Sequence, residues 1–493
     1  MSASIPERIS EHFTRDTLLR RVRPPDWTNP APRALYDLIV LGGGPAGLAA
    51  AELARRLGRS VALVERHRLG GNSLNVGSIP SKAIIRAARV LVSLRDDEDY
   101  GAVAFARPAT DFGVVMARMR RIRTRIAEYH SAERLQALGI DIFFGDARFD
   151  SSAVLAGETR LHFNKAIIAT GARPRASQIP GLESVGYLTS DSIFDLPELP
   201  KRLGVIGGGP LGCELAQAFC RLGSQVSIVQ NEPRFLPHEE RDAAELLSMS
   251  MARDGVETRL NTTVVGARLE GHTKWLDLVS DDARYSIPVD EILLSAGRTP
   301  NVEELGLESA GIAFEALTGI EVDAYLRTTN VDVYAAGDVC KAHHFTHIAT
   351  ACAQLAVRNA FGAQLEHPSH LMGPWCTYCD PEIAHIGMRM REARRQSIPV
   401  TCYTVMMQDV DRAITDGDDD GFVKIYVQDG TDKILGATIV ATRASELINE
   451  MSVIMSANIG MRQLATILHT YPTQSDAIRM AALAFMNDQP ISR

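Results

Sequence analysis

The first informative pattern lies near the start of the chain. An apolar run, Asp37 to Leu41, enters the glycine turn at 42–47, and an alanine-rich stretch follows. A second apolar run, Ser60 to Val64, then ends at Glu65. Short apolar runs joined through glycines to a helical stretch are typical of a parallel strand–helix–strand unit with buried strands. We therefore predict such a unit over residues 36–65.

The same order of elements recurs further along the chain. Strand-like runs at Arg202–Ile206 and Gln225–Val229 flank the glycine turn 207–212 and a helical stretch at Leu215–Arg221. Here the residue after the second run is Gln230 rather than an acid. A repeated unit of this kind indicates an internal duplication.

The glycine spacing in the first unit suits a dinucleotide. Gly42 permits the tight turn, Gly44 lets backbone amides approach a pyrophosphate, and Gly47 allows close packing of helix on sheet. The helix amino terminus, beginning at Pro45 and Ala46, faces the phosphates with its positive end. Glu65 follows at the position where a carboxylate accepts ribose hydroxyl groups.

The second unit predicts a pyridine nucleotide site but leaves its preference open. Gly207, Gly209 and Gly212 repeat the spacing, and Pro210 and Leu211 begin the helix. Gln230 can bond a ribose hydroxyl without excluding a 2′-phosphate, and Arg234 could neutralise that phosphate. Both NADH and NADPH therefore remain candidates.

The composition pattern changes from about residue 368. Four strands follow, and then helices; we place the strands at Trp375–Tyr378, Val400–Met406, Gly421–Val427 and Lys433–Val440. This predicts a separate α+β unit.

Helices are also predicted outside the duplicated units. We place them at Ala83–Val92 and Phe112–Leu138, and expect the arginines from Arg118 to Arg125 to form a solvated face. The polar, proline-rich segment 1–35 is expected to lie on the body as an arm, with a short helix around Ile9–Val22.

Composition sets the class of protein. The chain has 493 residues, 45% of them hydrophobic and 23% charged, with a net charge of −8. These values are typical of a globular enzyme and disfavour nucleic acid as a partner. We find no apolar run of the ~18 residues that a membrane helix needs and no signal-peptide core. Seven scattered cysteines form no disulfide framework, so we expect a reduced, cytoplasmic protein.

Several further motifs resemble one family. They are the segment Gly70–Lys82, the segment Ile292–Asn301 with Gly297, the segment Thr329–Asp338, the segment Asp380–Gly387, and Leu468–Asp476. Together they resemble the flavoprotein disulfide reductases, the pyridine nucleotide-disulfide oxidoreductase family, especially its mercuric-reductase-like and soluble-transhydrogenase-like branch. The resemblance covers residues 24–487.

The resemblance implies the fold and its division. We expect an α/β protein with two Rossmann-like dinucleotide-binding domains, as in glutathione reductase, and a C-terminal α+β dimerisation domain. The implied ranges are an arm at 1–35, an FAD domain at 36–160 and 291–367, an NAD(P) domain at 161–290 and an interface domain at 368–493. A homodimer with an active site shared between subunits is also implied.

The resemblance assigns two sets of cofactor residues. Those implied for FAD are Gly42, Gly44, Pro45, Ala46, Gly47, Glu65, Arg66, Gly71, Asn72, Ser73, Lys82, Thr170, Gly171, Gly337, Asp338 and His347. Those implied for NADH or NADPH are Gly207, Gly209, Pro210, Leu211, Gly212, Glu214, Gln230, Arg234 and Gly297. In the family, Lys82 and Glu214 correspond to an ion pair near the flavin and nicotinamide.

Where most of the family has two redox cysteines on the helix beside the flavin, this sequence has Ser73 and Ser78. A hydroxyl forms neither a disulfide nor a reactive thiolate. Tyr471 and Asp476 likewise stand where most members have a histidine and a glutamate that move protons at the partner's site.

The remaining cysteines are weak substitutes for the missing pair. Cys376 and Cys379 are expected on a strand, where residues three apart face opposite sides. Cys340 lies near the predicted cofactor, whereas Cys213 and Cys220 look like helix packing. We predict no metal site.

Three functions remain open. The leading hypothesis is an FAD-dependent NAD(P)H oxidoreductase that passes electrons directly to a small non-disulfide acceptor: a quinone, a dye, oxygen or a second pyridine nucleotide. An alternative is a cysteine-to-serine form of a mercuric or lipoamide-type reductase. The third is a flavin-binding protein with little turnover.

Overall fold

The structure is a computed structural model, and it describes residues 15–93, 110–281, 283–340, 345–367 and 371–488. Its first helix is Arg15–Val22; the earlier part of the predicted helix lies outside the described residues. After this helix, Trp27 and Asn29 donate hydrogen bonds to carbonyls of the strand Ile140–Phe144. The segment therefore lies on the body, as expected.

A seven-stranded sheet forms the centre of the first dinucleotide unit. Its strands run in the spatial order Ile140–Phe144, Val61–Glu65, Tyr36–Leu41, Thr159–Ile168, Ala153–Ala156 and Ala147–Asp150, with Val333–Ala335 against the end of Thr159–Ile168. The central strands are parallel and almost wholly buried, because helices cover one face and the strands Ala147–Asp150 and Ala153–Ala156, with the segment 302–320, pack on the other. The helices Pro45–Arg56 and Thr346–Phe361 pack together on one side.

The second unit repeats this arrangement, which confirms the duplication. Its parallel sheet has the order Glu257–Arg259, Gln225–Val229, Arg202–Ile206 and Glu291–Leu294. An antiparallel sheet of Thr262–Glu270, Thr273–Ser280 and Ala283–Val289 adjoins it. The helices of the unit are Pro210–Leu222 and Arg241–Asp254.

The last part of the chain is an antiparallel sheet with helices. The strand order is Trp375–Thr377, Glu382–Gly387, Ile434–Ala441, Phe422–Gln428 and Val400–Met406. Its helices are Met390–Arg395, Asp411–Asp416, Ala444–Ser456, Met461–Leu464 and Asp476–Asp488.

Short elements complete the fold. The remaining helices are Gly71–Asn75, Ser78–Ser93, Phe112–Ile126, Ala132–Ala137 and Leu182–Val185. Two small strand pairs join Ala172–Pro174 to Arg298–Pro300, and Phe314–Glu315 to Gly319–Ile320. The first pair ties together the two places where the chain passes between the dinucleotide units. Within the part of the chain described, every helix is too short or too polar to cross a membrane.

The predicted helix Phe112–Leu138 is wrong in its extent. The α-helix ends at Ile126, a 3₁₀ turn follows, and Ser131 caps the next helix by accepting a hydrogen bond from Arg134 N. A serine cap of this kind begins a new helix rather than continuing the old one.

The expectation of a solvated arginine face is also wrong in part. Arg123 is buried and its guanidinium donates to the carbonyl of Asn75 at 2.9 Å, while Arg118 donates to that of Ala83 at 3.0 Å. These two arginines therefore hold the helical segment that carries the serines.

Candidate functional site

The glycine turn of the first unit has room for a ligand only at its middle glycine. A Cβ at Gly42, whose φ is +104°, would lie 2.4 Å from the Ala169 carbonyl oxygen. One at Gly47 would lie 1.8 Å from the Gly42 oxygen. At Gly44 the nearest atom would be 3.8 Å away, so the approach to the start of helix Pro45–Arg56 is open. This is the space that a pyrophosphate needs.

Glu65 closes the turn from the neighbouring strand. Its carboxylate accepts hydrogen bonds from Gly43 N and from His67 N, both at 2.6 Å. Burial raises the pKa of Glu65, and the two amide donors oppose that rise. Since each carboxylate oxygen has two lone pairs, both can still accept a ribose hydroxyl.

A cavity of about 500 Å³ extends from this turn. The predicted FAD residues that line it are Gly42, Gly44, Pro45, Ala46, Glu65, Arg66, Gly71, Asn72, Ser73, Thr170, Gly171, Gly337 and Asp338. Ser78 also lines it. The dinucleotide turn, the carboxylate and the Gly-Asp segment therefore meet at one cavity, and the open Cα of Gly44 fits the pyrophosphate of FAD.

Three predicted FAD residues are absent from this lining. Gly47 lies beneath the turn, as its packing role requires. His347 bonds through Nε2 to the Pro374 carbonyl at 2.6 Å, and Lys82 pairs with Glu214. Several other residues line the cavity that the sequence patterns did not predict, among them His67, Arg68, Asp146, Arg298, Asn301, Thr346 and Ala349.

Asp338 lies beside one of the residues that the sequence missed. Its carboxylate is 3.7 Å from Arg298 Nε, and Arg298 also donates to the Ala172 carbonyl. Arg298 belongs to the second crossover, so it is placed here by the pairing of Ala172–Pro174 with Arg298–Pro300. The lining of the cavity thus includes an ion pair, Arg298 with Asp338, whose two members only the fold brings together.

The resemblance implied that Ser73 and Ser78 lie on one helix, but in the structure they lie on two. Ser73 lies in Gly71–Asn75, and Ser78 begins Ser78–Ser93. Gly77 separates them in close contact: a Cβ there would lie 2.9 Å from the Asn72 carbonyl oxygen. Ser73 Oγ is 2.6 Å from Thr346 Oγ1, so one of the two hydroxyls donates to the other.

Lys82 and Glu214 join the two dinucleotide units. Lys82 Nζ lies 2.7 Å from Glu214 Oε2, and Glu214 Oε1 accepts a hydrogen bond from Tyr378 N at 2.9 Å. Lys82 is four residues after Ser78 on the same helix, so both lie on one helix face. The predicted ion pair is therefore formed next to the serine-bearing turn.

The second glycine turn has the same geometry as the first. A Cβ at Gly207 would lie 2.6 Å from the Ser295 oxygen, and one at Gly212 would lie 2.3 Å from the Gly207 oxygen. Gly209, which precedes helix Pro210–Leu222, would meet nothing within 4 Å. Gln230 Oε1 accepts from Gly208 N at 2.8 Å, as Glu65 does from Gly43 N. The amide thus replaces the acid without changing the turn.

The other predicted nucleotide residues are placed around this turn. Leu211 is the second residue of that helix, and Arg234 is exposed in the loop after Gln230. Gly297 has a φ of +101°, and a Cβ there would lie 3.6 Å from Arg175 Cζ.

Tyr471 and Asp476 lie away from the cavity of their own chain. The Tyr471 hydroxyl donates to Asp411 Oδ2 at 2.8 Å, and the side chain is 71% exposed. The hydrogen bond to Asp411 raises the pKa of Tyr471. Asp476 accepts from Arg479 Nε at 2.8 Å, and nearby Leu468 is 95% exposed. This exposed apolar surface suits a protein contact.

The cysteines of the described residues form no disulfide. Burial raises the pKa of the Cys213, Cys376 and Cys379 thiols well above the usual value, so these thiols stay protonated. The expectation that both Cys376 and Cys379 lie on a strand is wrong, because the strand ends at Thr377. In the described ranges no three His, Cys, Asp or Glu residues are grouped so as to hold a metal ion.

Comparison with known proteins agrees with this geometry. Residues 36–355 match the model of the pyridine nucleotide-disulphide oxidoreductases, and residues 373–482 match the dimerisation domain of that family. The chain therefore belongs to the pyridine nucleotide-disulphide oxidoreductase family. It is an FAD-dependent oxidoreductase that uses a pyridine nucleotide, and its dimerisation domain implies a homodimer.

Individual relatives fall within the same family. A mercuric reductase from Shigella flexneri is 31% identical over 461 residues, which cover 92% of this chain and 81% of that protein. A dihydrolipoyl dehydrogenase from Thermus scotoductus is 32% identical over 460 residues, 91% of this chain and 97% of the relative.

Solved structures share the fold. The HOCl-induced flavoprotein disulfide reductase RclA from Escherichia coli matches with a TM-score of 0.81 at 27% identity. The match covers 91% of this chain and 99% of the RclA chain. LpdA from Mycobacterium tuberculosis matches with a TM-score of 0.83 at 26% identity and the same coverage.

Proposed function

We propose that this protein moves electrons from NADH or NADPH, by way of FAD, to an acceptor that is not a disulfide. The acceptor classes are a quinone, a dye, oxygen or a second pyridine nucleotide. One observation carries the proposal: the two side chains that line the cavity at positions 73 and 78 are hydroxyls.

The two nucleotide sites follow from the glycine turns. We assign FAD to the cavity at Gly44 and Glu65, and the pyridine nucleotide to the turn at Gly209 and Gln230. When bound there, FAD would supply two-electron redox chemistry between the nicotinamide and the acceptor. The protein orients the two cofactors and supplies charge beside them.

Lys82 is the charge that we assign to hydride transfer. An ammonium at a fixed position stabilises negative charge that develops nearby during the reaction. Glu214 is only 4% exposed and holds Nζ at 2.7 Å, so the ammonium is oriented before the reaction begins. This ion pair supports the proposal that hydride transfer from NADH or NADPH to the flavin takes place.

The acceptor side differs in chemistry from a thiol relay. A serine hydroxyl is neither oxidised reversibly nor ionised near neutral pH, so Ser73 and Ser78 can only hydrogen-bond and orient. The contact of Ser73 with Thr346 fixes one of these hydroxyls. An acceptor would then approach the cofactor itself, because neither Ser73 nor Ser78 can carry the electrons onward.

We further propose the four-part division that the sequence predicts: arm 1–35, FAD domain 36–160 and 291–367, NAD(P) domain 161–290, interface domain 368–493. Both inner boundaries are moved toward the carboxyl terminus, because Thr159–Ile168 belongs to the first sheet and Glu291–Leu294 to the second. The pairing of the crossover strands Ala172–Pro174 and Arg298–Pro300 supports these later boundaries. In the homodimer, Tyr471 and Asp476 would reach the cavity of the other subunit. The exposure of Tyr471 in one chain supports this assignment.

Anaerobic stopped-flow reduction of the purified, FAD-loaded protein tests the proposal. NADH or NADPH is expected to bleach the flavin rapidly, without the long-wavelength band of a thiolate–flavin complex. Steady-state turnover is then measured with menadione, NAD⁺ and NADP⁺. Failure of both nucleotides to bleach the flavin would overturn the proposal and leave a flavin-binding protein.

A second candidate function rests on the mercuric reductases among the relatives. The protein would then be a cysteine-to-serine form of a thiol enzyme of the mercuric or lipoamide type. The double variant Ser73→Cys, Ser78→Cys distinguishes the two functions. Recovery of NADPH-dependent disulfide or Hg(II) reduction would favour the thiol enzyme; turnover of menadione by the unchanged protein without such recovery favours the direct acceptor.

A further inference from the structure

A tyrosine from the third unit of the chain reaches the Lys82–Glu214 pair. Tyr378 comes directly after the strand Trp375–Thr377. The centre of its ring is 4.2 Å from Lys82 Nζ, and its backbone N–H donates to Glu214 Oε1 at 2.9 Å. One residue thus contacts both members of the pair.

We propose that Tyr378 is a positioning residue that holds the Lys82 ammonium in the place where it assists hydride transfer. The inference deepens the proposed function and rests on the role given there to Lys82.

The ring acts on the lysine. The face of an aromatic ring is negative and attracts a cation within about 6 Å of its centre. Lys82 has a long, flexible stem and remains 33% exposed, so an ion pair on one side would leave it free to turn toward water. With Glu214 and the ring as two separate contacts, the ammonium is held from two directions.

The backbone N–H acts on the glutamate. Glu214 is almost wholly buried, and a buried carboxylate needs partners for both oxygens. Tyr378 N satisfies Oε1, which leaves Oε2 directed at Lys82. Because this donor belongs to the backbone, substitution of the side chain removes the ring and retains the donor.

The phenol itself is not required as an acid. Burial raises the pKa of Tyr378 to about 12, so the hydroxyl stays neutral at working pH. The inference therefore assigns the effect to the ring face, and it predicts that phenylalanine can replace tyrosine.

The experiment compares Tyr378→Leu, Tyr378→Phe and Lys82→Met as FAD-loaded enzymes. Two quantities are measured: the anaerobic rate constant of flavin reduction by NADH or NADPH, and the midpoint potential of the flavin. Leucine is expected to slow reduction by about tenfold and to lower the potential in the same direction as Lys82→Met. Phenylalanine is expected to recover most of the rate and the potential.

A matched control and a second variant keep the test decisive. Arg259 lies over the ring of Tyr285, and its Cζ is 5.3 Å from the ring centre. Tyr285 is on the strand Ala283–Val289, and neither residue lines the cavity. Tyr285→Leu removes that similar contact and should alter neither quantity. If the leucine variant does not fold, Tyr378→Met replaces it, since methionine is apolar and has no ring face.

The outcomes separate this inference from the proposed function. A slow Lys82→Met enzyme beside an unchanged Tyr378→Leu enzyme would overturn the role of Tyr378 and leave the proposed function intact. Equal losses in Tyr378→Leu and Tyr378→Phe would also overturn it, because the ring would then not be the active feature. An unchanged Lys82→Met enzyme would overturn both the lysine assignment and the inference built on it.

Discussion

Lys82 Nζ lies 2.7 Å from Glu214 Oε2, although 132 residues separate the two in the chain. Lys82 follows the first glycine unit and Glu214 lies on the first helix of the second. This ion pair therefore links the two halves of the duplicated fold. Its carboxylate is nearly buried, so this contact differs from the exposed pairs on the surface.

The first prediction concerns the charge of Glu214. Glu214→Gln keeps an oxygen for Tyr378 N but removes the charge that orients Lys82. We expect flavin reduction by NADH or NADPH to slow by roughly tenfold or more, with FAD content unchanged. Stopped-flow absorbance of the FAD-loaded variant measures the rate.

A surface pair provides the matched control for that change. Arg241 and Glu245 are also 2.7 Å apart but are 77% and 59% exposed. Glu245→Gln should leave reduction unaffected. Equal effects of the two substitutions would contradict a special role for the buried pair.

The second prediction separates the two nucleotide sites. Gly44 and Gly209 both have extended backbones with negative φ. A Cβ at Gly44 would lie 3.8 Å from Gly71 Cα, and one at Gly209 would meet nothing within 4 Å, so neither methyl group clashes with the protein. Gly44→Ala should reduce retention of FAD, because the methyl group fills the approach to the pyrophosphate, and Gly209→Ala should instead raise the Kd for NAD(P)H.

Bound flavin per chain and titration with each nucleotide give the two readouts. Gly42→Ala is the contrasting variant, since its φ of +104° and the 2.4 Å approach to the Ala169 oxygen predict loss of folded protein. A Gly44→Ala enzyme with full FAD content would show that the pyrophosphate lies elsewhere.

The third prediction concerns nucleotide preference. Gln230→Glu retains an oxygen for Gly208 N and adds a negative charge beside the ribose site. We expect the affinity for NADPH to fall by about tenfold relative to NADH, because the carboxylate repels a 2′-phosphate. Gln225→Glu, at the exposed start of the same strand, is the control. If the ratio of the Kd values for NADPH and NADH did not change, the 2′-position of the bound nucleotide would not lie beside Gln230.

The fourth prediction is a pH dependence of stability. Glu239 is buried between the second unit and the last, and Trp375 Nε1 donates to it at 3.0 Å. Burial raises its pKa from 4.5 to about 7. Between these values the folded state binds more protons than the unfolded state, so Glu239 makes the free energy of unfolding fall as pH rises. The decrease, about 3 kcal/mol, levels off above pH ~7.

A neighbouring histidine has the opposite effect, so variants must be compared. Burial lowers the pKa of His385 to about 4, and this favours the folded state as pH rises toward its ordinary value near 6.5. Denaturant unfolding of the protein and of Glu239→Gln at pH 5.0 and 7.5 isolates the glutamate. The variant should gain stability relative to the parent as pH rises, whereas Glu158→Gln, at an exposed turn, should not. A constant difference between parent and Glu239→Gln would contradict the raised pKa.

Local sequence patterns predicted the backbone geometry of the two glycine turns. The strand, glycine turn, helix and second strand of each unit are adjacent in the chain, so spacing alone specifies their geometry. Glu65 and Gln230 could be identified for the same reason, because each ends a strand beside its own turn. The cavity lining at Gly44 and Glu65 follows from the first of these local units, whereas Ser73 and Gly337 reach the cavity through tertiary packing.

Some sequence-based predictions were wrong because tertiary contacts override local preference. The helix predicted to Leu138 ends at Ile126. The buried Arg123 and the partly buried Arg118 hydrogen-bond to backbone carbonyls of the segment that carries the serines. His347 bonds to a backbone carbonyl rather than lining the cavity. No local pattern distinguishes a buried arginine from an exposed one when both lie on an amphipathic helix.

The sequence by itself determined the two dinucleotide units, the hydroxyls at positions 73 and 78, and the amide at position 230. Only the tertiary structure decided that Thr346 contacts Ser73, that Arg298 reaches Asp338, and that Tyr378 lies beside Lys82. The physical reason is distance along the chain. Local elements follow from backbone preference and periodicity, whereas these contacts join residues that only the packing of separate units brings within a few ångströms.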